Sequence, residues 1–325
     1  MSTAALVPET WELTGDDARE TLLHTGRRQL LADAFQRLRV ADGFSHARSL
    51  AFTIALVLVQ GLIALVGLAS AFSQTRLSEV IVSAVQGALP GPGGQLLTQA
   101  VQQAQGAGAA RKYLALILGA IGALVTATTA FGQLERGLNR IYGVEQDRPT
   151  VEKYGRAFFE AFTCGALATL AFVTLAWGRQ VGDQINNQLL STLWSWSRWP
   201  VAIVFIAAAV TLLFRWCPRR HQPASSWLAY GAAVSTLGWV LVTVGLGVFF
   251  AVSSSFGDTY GPLAGMVALL LWAFLSSVAI FFGAATAAQL EAVRAGARRP
   301  QDPEKVAESE PDAQSAPVPA EAGAR

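Results

Sequence analysis

The sequence predicts an all-α, polytopic membrane protein with six transmembrane helices, an N-terminal amphipathic helix and an extracytoplasmic helical hairpin. The chain is 52% hydrophobic and only 14% charged, whereas roughly a quarter of the residues of a soluble domain carry charge. The apolar residues concentrate in runs that reach or approach the roughly 20 residues a helix needs to cross a bilayer. This composition argues against an ordinary soluble enzyme. The predicted spans are residues 50–72, 113–131, 157–177, 200–216, 227–252 and 261–288.

Residues 1–49 form a predicted cytoplasmic N-terminal region without the compact apolar run of a secretory signal peptide, so the first span should be retained as an anchor. Between Asp16 and Leu38, apolar residues recur at helical spacing among basic ones. The apolar residues are Leu23, Leu30, Leu31, Ala34, Phe35 and Leu38. This amphipathic helix is expected either to lie on the cytoplasmic membrane face, where basic residues attract anionic headgroups, or to pack against the same protein.

The fourth predicted span is the shortest and leaves two alternatives open. Trp194, Trp196 and Trp199 flank one end and Trp216 the other, as indole rings do at two membrane interfaces. The segment is therefore expected to cross the membrane, with a re-entrant segment as the alternative.

Two extramembrane segments have a readable pattern. Between the first two spans, apolar stripes within 77–88 and 96–104 are separated by the breaker residues 90–94, which predicts a helical hairpin over the outer mouth of the bundle. The tail, residues 291–325, becomes rich in Pro, Ala and Glu after Arg299 and is expected to be a disordered cytoplasmic tail. Residues 50–290 are the predicted six-helix membrane domain.

The distribution of positive charge predicts the orientation. Assigning alternate segments to opposite sides places 19 of the 24 Lys and Arg residues on the side that holds both termini. Basic residues favour the cytoplasmic side of membrane proteins. We therefore expect a multi-pass membrane protein with both termini in the cytoplasm.

The motifs of common enzyme classes are missing from the sequence. The three histidines lie in different segments without acidic residues at metal-ligand spacing, and no phosphate-binding loop or nucleophile elbow occurs. The two cysteines, Cys164 and Cys217, have no redox or metal spacing and are expected to be structural. The sequence therefore predicts no enzyme activity, catalytic residue, metal or cofactor, and no nucleic-acid partner. Membrane lipids are the expected partners, together with a possible homo-oligomer.

The predicted spans contain weakly polar residues but no charge at their centres, where an ionisable group costs about 3 kcal/mol or more. Gln60 and Thr128 are examples. Weakly polar residues in spans commonly support helix packing or, as a minority alternative, line a polar translocation path. Glu160, near the edge of the third span, is expected to be an interfacial residue. Gly257, Gly261 and Gly265 recur every four residues, which predicts a close helix contact.

The densest polar segment is the elbow, residues 132–156, between the second and third spans. One helical face of it is apolar, and Pro149 ends the helix. The elbow is expected to be solvated and to connect the two spans, or alternatively to gate the bundle or bind a lipid headgroup. Its candidate functional residues are Glu135, Arg136, Asn139, Arg140, Tyr142 and Arg148.

A leucine-asparagine-aromatic motif followed by an acidic-basic turn comprises Leu138, Asn139, Ile141, Tyr142 and Arg148. A second motif comprises Pro218, Trp227 and Gly231, followed by Tyr260, Gly261, Trp272 and Gly283. Through these motifs the sequence from about Arg39 to Arg294 resembles the YihY/BrkB family of bacterial inner-membrane proteins. The chain departs from the family at Gln60-Gly61, where relatives often have Pro, and at Ala285, where an acidic residue is common. If that acidic group takes part in transport in relatives, its role is absent or relocated here.

The resemblance implies six spans with cytoplasmic termini and adds Tyr260, Gly261 and Gly283 to the candidate functional residues. Relatives have been called ribonuclease BN, which this sequence does not support because no nuclease metal site can be assembled. Others are associated with serum resistance and with export of lipid-like molecules. The leading hypothesis is transport or export of a lipid-like or amphiphilic molecule, and it is motivated by uncharged but hydroxyl-lined spans, an outer helical cap and basic cytoplasmic edges. The alternatives are a non-transporting structural or adaptor protein and, as a third hypothesis, a membrane-tethered RNA-processing enzyme.

Overall fold

A computed structural model describes residues 3–9, 15–71, 89, 91–105, 109–183, 187–253, 255–296 and 299–300. Every regular element in these ranges is helical, which confirms the all-α prediction. The α-helices are α1 (Gly15–Thr25), α2 (Arg27–Val40), α3 (Gly43–Ala71), α4 (Pro92–Gln105), α5 (Ala109–Tyr142), α6 (Thr150–Asp183), α7 (Gln188–Trp216), α8 (Ser225–Val252), α9 (Ser255–Tyr260) and α10 (Ala264–Arg294).

Five of the described helices are long and apolar enough to cross a membrane: α3, α5, α7, α8 and α10. The third predicted span, residues 157–177, lies within α6, which has 34 residues and a length of about 51 Å at 1.5 Å per residue. Because α6 is not among the five, the count of six spans stays a prediction. The fourth segment lies in α7, a continuous helix of 29 residues through Pro200, so it is long enough to span.

The predicted amphipathic helix over residues 16–38 is wrong as a single helix, because Gly26 adopts a φ of 80° and separates α1 from α2. Such a backbone favours glycine and ends the helical hydrogen-bond ladder. Leu30, Ala34 and Leu38 of α2 are buried, and α2 packs against α10. The packing alternative is therefore confirmed for this face, while Phe35 on the other face is 47% exposed.

Half of the predicted hairpin lies in the described residues. The second stripe forms α4, which begins at Pro92 directly after Gly91 with a φ of 62° and buries Leu97. The first stripe, residues 77–88, and the predicted disordered tail from residue 301 lie outside the described residues.

The helix α10 is the centre of the bundle. It packs against α2, α3, α4, α5 and α8, while α3 pairs with α5 and α6 pairs with α7. Of the most apolar window of α10, 44% is buried inside the protein, against 17% for α5, α7 and α8. The outer helices expose large apolar side chains such as Ile121, Val204 and Leu241. An exposed apolar surface of this extent suits contact with lipid.

The last predicted span begins later than expected. A 3₁₀ turn, Gly261–Leu263, precedes α10, and Gly261 has a φ of 48°. Only Gly265 makes the predicted close approach, since a Cβ there would lie 2.8 Å from Leu96 Cβ, whereas Gly257 and Gly261 have nothing within 4 Å. The four-residue glycine pattern was therefore wrong as one helix face, because the helix is interrupted between its members.

Candidate functional site

Six helices each have one end at the same side of the bundle, which we call the polar end. There α3, α6 and α8 begin and α5, α7 and α10 finish, and residues 3–9 cover the junction. Two clusters of buried charged and polar residues lie at this end. They hold every candidate residue of the elbow except Arg140, which lies at their margin.

The first cluster, the elbow cluster, is organised around a buried arginine. It comprises Glu135, Arg136, Asn139, Asp147, Arg148 and Lys153. The two terminal nitrogens of Arg148 donate to the backbone oxygens of Cys217, at 2.7 Å, and Pro218, at 2.9 Å. Its Nη1 also lies 3.4 Å from Glu135 Oε2, with both side chains almost completely buried. Arg148 therefore ties α5 to the end of α7.

Asp147 accepts hydrogen bonds from three side chains of the elbow cluster. They come from Asn139 Nδ2 at 3.0 Å, Lys153 Nζ at 3.2 Å and Arg136 Nε at 3.3 Å. Burial would raise the pKa of the Asp147 carboxyl, but these hydrogen bonds and the Lys153 charge outweigh it and lower the pKa. Asn139 is fully buried and its Oδ1 accepts from the Arg219 backbone nitrogen at 2.8 Å. The elbow is thus fixed to the segment after α7.

The expectation of a solvated elbow was wrong. Glu135, Asn139 and Tyr142 are at most 2% exposed, because the segment after α7 and residues 3–9 fold over them. Arg140 lies at the margin, where its Nη1 donates to the backbone oxygen of Glu145 at 2.7 Å. The elbow therefore connects the helices through a buried set of side chains, while Glu145 and Glu152 stay exposed.

The second cluster, the α10-end cluster, comprises Arg37, Tyr142, Arg220, Gln289 and Glu291. Arg220 and Glu291 form a bidentate ion pair with distances of 2.7 and 3.2 Å, and their side chains are 2% and 1% exposed. The guanidinium carbon of Arg220 lies 4.8 Å from the centre of the Tyr142 ring, a cation–π distance. The loop before α8 is thereby joined to the last turn of α10.

Arg37 of α2 is fully buried in the same cluster. Its Nε donates to Gln289 Oε1 at 2.8 Å, and its Nη1 donates to the backbone oxygens of Ala5 and Ile141. Burial lowers the pKa of this guanidinium to about 10, and the nearby Arg220 charge adds to the effect. The N-terminal segment, α2, α5 and α10 therefore meet at one side chain.

A groove of about 340 Å³ lies beside these clusters, between α6 and the end of α7. The residues lining this α6–α7 groove are Gly155, Arg156, Phe159, Glu160 and Trp216. The Phe159 side chain is 61% exposed, and the next turn of α6 presents Phe162, 70% exposed. One wall of the groove is thus charged, and the other continues into an apolar surface.

Glu160 connects the groove to the elbow cluster. It is only 3% exposed, and its Oε2 accepts from the Cys217 thiol at 3.2 Å. Burial, together with the Glu160 charge, raises the pKa of Cys217 well above its usual value, so the thiol keeps the proton it donates. The other oxygen, Oε1, is buried and accepts no hydrogen bond from the part of the chain that the structure describes, with Arg156 Nε at 4.0 Å. Glu160 is therefore buried against the protein beside the groove, and its position at the membrane interface stays a prediction.

The remaining predicted site residues lie apart from the polar end. Gln60 Oε1 accepts from Thr126 at 2.8 Å and so joins α3 to α5. Thr128 donates to Leu124 of its own helix. Tyr260 and Gly261 are exposed just before α10, at the opposite end of the bundle. No common site unites them.

Gly283 has a packing role that the structure makes explicit. It lies where α10 crosses α8, against Gly231 and Ser235, and a Cβ at Gly283 would overlap both. Ser235 Oγ donates to the backbone oxygen of Ala279 at 3.2 Å. Small residues permit this close approach of two helices.

The sequence pattern did not lead us to Arg37 and Glu291, although each lies in an apolar stripe of its helix, which indicates burial. Arg37 follows Leu30 and Ala34 at helical spacing and therefore belongs to the buried stripe of α2. Glu291 likewise follows Ala284 and Ala288 on α10. A charge inside an apolar stripe predicts a buried partner.

Comparison with known protein families finds a match that covers most of the chain. The profile of the family described as virulence factor BrkB matches residues 34–309. The chain belongs to this family. This match confirms the resemblance inferred from the elbow and the last helix. The polar end of this virulence factor BrkB family member holds the elbow cluster, the α10-end cluster and the α6–α7 groove. No solved structure matches the chain.

Curated relatives of this virulence factor BrkB family member are distant in sequence. The putative ribonuclease-like protein YfkH of Bacillus subtilis is 24% identical over 52% of this chain and 62% of its own length. A UPF0761 membrane protein of Xanthomonas oryzae is 25% identical over 55% of this chain and 41% of its own. Another, of Rhodospirillum rubrum, is 28% identical over 53% of this chain and 39% of its own. The match thus spans less than two thirds of each relative.

The titratable groups at the polar end are mostly arranged as ion pairs. Within the described ranges, no three His, Cys, Asp or Glu side chains are grouped so that they could hold a metal ion. Both cysteines are buried free thiols. What the polar end offers chemically is a set of buried hydrogen-bonded charges beside a groove with one unsatisfied carboxylate oxygen.

Proposed function

We propose that this integral membrane protein binds an amphiphilic molecule, such as a phospholipid, in the α6–α7 groove and moves it between the two faces of the bilayer. The observation that carries the proposal is the lining of the groove. Arg156 and Glu160 stand at its charged wall, and Phe159 and Trp216 pack 6.1 Å apart beside the exposed apolar surface of α6. A headgroup and an acyl chain need these two environments next to each other.

The depth of the groove supports the same proposal. Arg156 lies at the start of α6, near the polar end, and its side chain is 46% exposed. A guanidinium at this level attracts phosphate from the membrane surface. Phe162, 70% exposed, lies one turn beyond Phe159 on α6 and extends the apolar surface in the proposed direction of the bilayer centre.

The proposal includes the bacterial inner membrane, with the polar end and both termini in the cytoplasm, and action without enzymatic chemistry. Support for the orientation comes from the distribution of Lys and Arg. The polar end collects the basic residues of the elbow and of the segment after α7.

Labelled-phospholipid redistribution in liposomes tests the proposal. The full chain should equilibrate a headgroup-labelled phospholipid between leaflets faster than protein-free vesicles. Gly155→Trp should slow it by filling the groove, since a Cβ at Gly155 meets nothing within 4 Å and the variant should fold. Gly165→Trp is the matched control, because Gly165 lies on the same helix, also faces open space and does not line the groove. Redistribution no faster than in protein-free vesicles would contradict transport and favour a non-transporting role.

A further inference from the structure

The unsatisfied oxygen of Glu160 specifies which headgroup the α6–α7 groove suits. A buried carboxylate oxygen without a hydrogen bond is unfavourable, because it has lost water without gaining a partner. Among the described residues, none donates a hydrogen bond to Glu160 Oε1, and Arg156 Nε lies 4.0 Å from it. Since Oε2 already accepts from the Cys217 thiol, Oε1 is the oxygen that a donor entering the groove lined by Glu160 would satisfy.

Arg156 supplies the complementary charge. Its Nη2 lies 3.5 Å from the backbone oxygen of Trp216, a long contact that leaves most of its donors available. The groove therefore presents a donor cation and an acceptor anion one helical turn apart. A ligand that satisfies both carries a phosphate and a hydrogen-bond-donating cation on one short headgroup.

We infer that the α6–α7 groove selects a phospholipid with a primary ammonium headgroup, of the phosphatidylethanolamine type, with its phosphate on Arg156 and its ammonium on Glu160 Oε1. A primary ammonium has three N–H donors, whereas the trimethylammonium of phosphatidylcholine has none. Phosphatidylglycerol carries a phosphate but offers only neutral hydroxyl donors to Glu160. This inference rests on the proposed function and names its substrate class.

Native mass spectrometry of the full chain with phospholipids of identical acyl chains tests the inference without any substitution. The headgroup series runs from phosphatidylethanolamine through its mono- and dimethylated forms to phosphatidylcholine. Affinity should fall by roughly tenfold in total, mostly at the last methylation, since a charged hydrogen bond contributes about 1.5–3 kcal/mol and 1.4 kcal/mol is tenfold. Equal affinity along the series, or tighter binding of phosphatidylglycerol than of phosphatidylethanolamine, would overturn the inference.

Three variants test whether headgroup selection takes place in the groove. Glu160→Gln should abolish the preference for phosphatidylethanolamine over phosphatidylcholine. Glu152→Gln, an exposed carboxylate two turns earlier on α6, should keep it. Arg156→Ala should weaken all phospholipids alike, because the phosphate is common to them. A preference that survives Glu160→Gln would place headgroup selection elsewhere.

The two proposals can fail separately. Lipid redistribution without any headgroup preference would refute the selection by Glu160 and leave the proposed function intact. A headgroup preference without redistribution would support the site and contradict transport. Absence of bound phospholipid of any class would overturn both.

Discussion

Arg148 and Glu135 form a buried ion pair across the elbow, with Nη1 and Oε2 3.4 Å apart and side chains 6% and 3% exposed. Thirteen positions separate them in the sequence, and the Arg148 backbone nitrogen also donates to Glu135 Oε1 at 3.4 Å. The pair closes the turn between α5 and α6. Because Arg148 also binds the backbone after α7, three helix ends depend on one guanidinium.

Glu135→Gln should destabilise the protein strongly, because it leaves the Arg148 charge buried without its carboxylate. Removing one partner of a buried pair costs about 3–5 kcal/mol. Glu145→Gln is the matched control, since Glu145 is exposed, and should change stability by no more than about 0.5 kcal/mol. Unfolding in detergent micelles, followed by tryptophan fluorescence, measures both. Equal stability of the two variants would contradict a structural role for the pair.

Asp147 should make the stability of the elbow cluster depend on acid pH. Its folded-state pKa is lowered because hydrogen bonds from Asn139, Lys153 and Arg136 outweigh its burial. A lowered carboxyl pKa contributes stability above the unfolded value of about 3.9 and loses it as pH falls through the folded value. The stability advantage of wild type over Asp147→Asn should therefore be constant from pH 7 to 5 and shrink below pH about 4. An advantage that stays constant to the lowest measurable pH would contradict this assignment.

Gly283→Ala should separate α10 from α8, since the added Cβ overlaps Ser235 and the backbone of Gly231. Overpacking of this kind costs about 1–3 kcal/mol. Gly245→Ala, on α8 but with nothing within 4 Å, controls for the change in helix propensity and should be neutral or stabilising. Thermal unfolding of both variants measures the difference. A Gly283→Ala protein as stable as Gly245→Ala would refute the close crossing.

Cysteine accessibility tests on which side of the membrane the termini lie and whether the number of spans is even or odd. Gln188→Cys at the start of α7 should react with a membrane-impermeant maleimide in spheroplasts. Arg299→Cys and Thr3→Cys should react only after permeabilisation. The native thiols are buried and form a low background. Labelling of Thr3→Cys and Arg299→Cys on opposite sides would require an odd number of spans.

The helical class and the positions of most spans could be predicted because lipid exposure leaves a long apolar run in the sequence. Gln188–Trp216, for example, is one helix around the short fourth run. The break of the N-terminal helix at Gly26 could not be predicted so easily, since an isolated glycine costs a helix only about 1 kcal/mol and tertiary contacts decide the outcome. The late start of α10 likewise follows a glycine with a positive φ, Gly261, whose backbone conformation the sequence does not reveal.

The elbow residues could be predicted as a group, but their burial could not. Glu135 and Arg148 look like surface charges in the sequence, and they become a buried pair only because Cys217 and Pro218 arrive from α7. The role of Glu160 likewise depends on the Cys217 thiol, 57 positions away. Contacts between distant segments leave no periodic signal. The groove therefore emerged from the structure alone.

A photoactivatable phospholipid tests the central claim, that an amphiphile occupies the α6–α7 groove, most directly. The full chain would be reconstituted with a phosphatidylethanolamine carrying a diazirine near its headgroup, irradiated, and its adducts mapped by peptide mass spectrometry. The account predicts adducts concentrated around Phe159 and Trp216, reduced in Gly155→Trp and retained in Gly165→Trp. Adducts spread evenly over the other exposed helices α5 and α8, with none enriched at the groove, would contradict it.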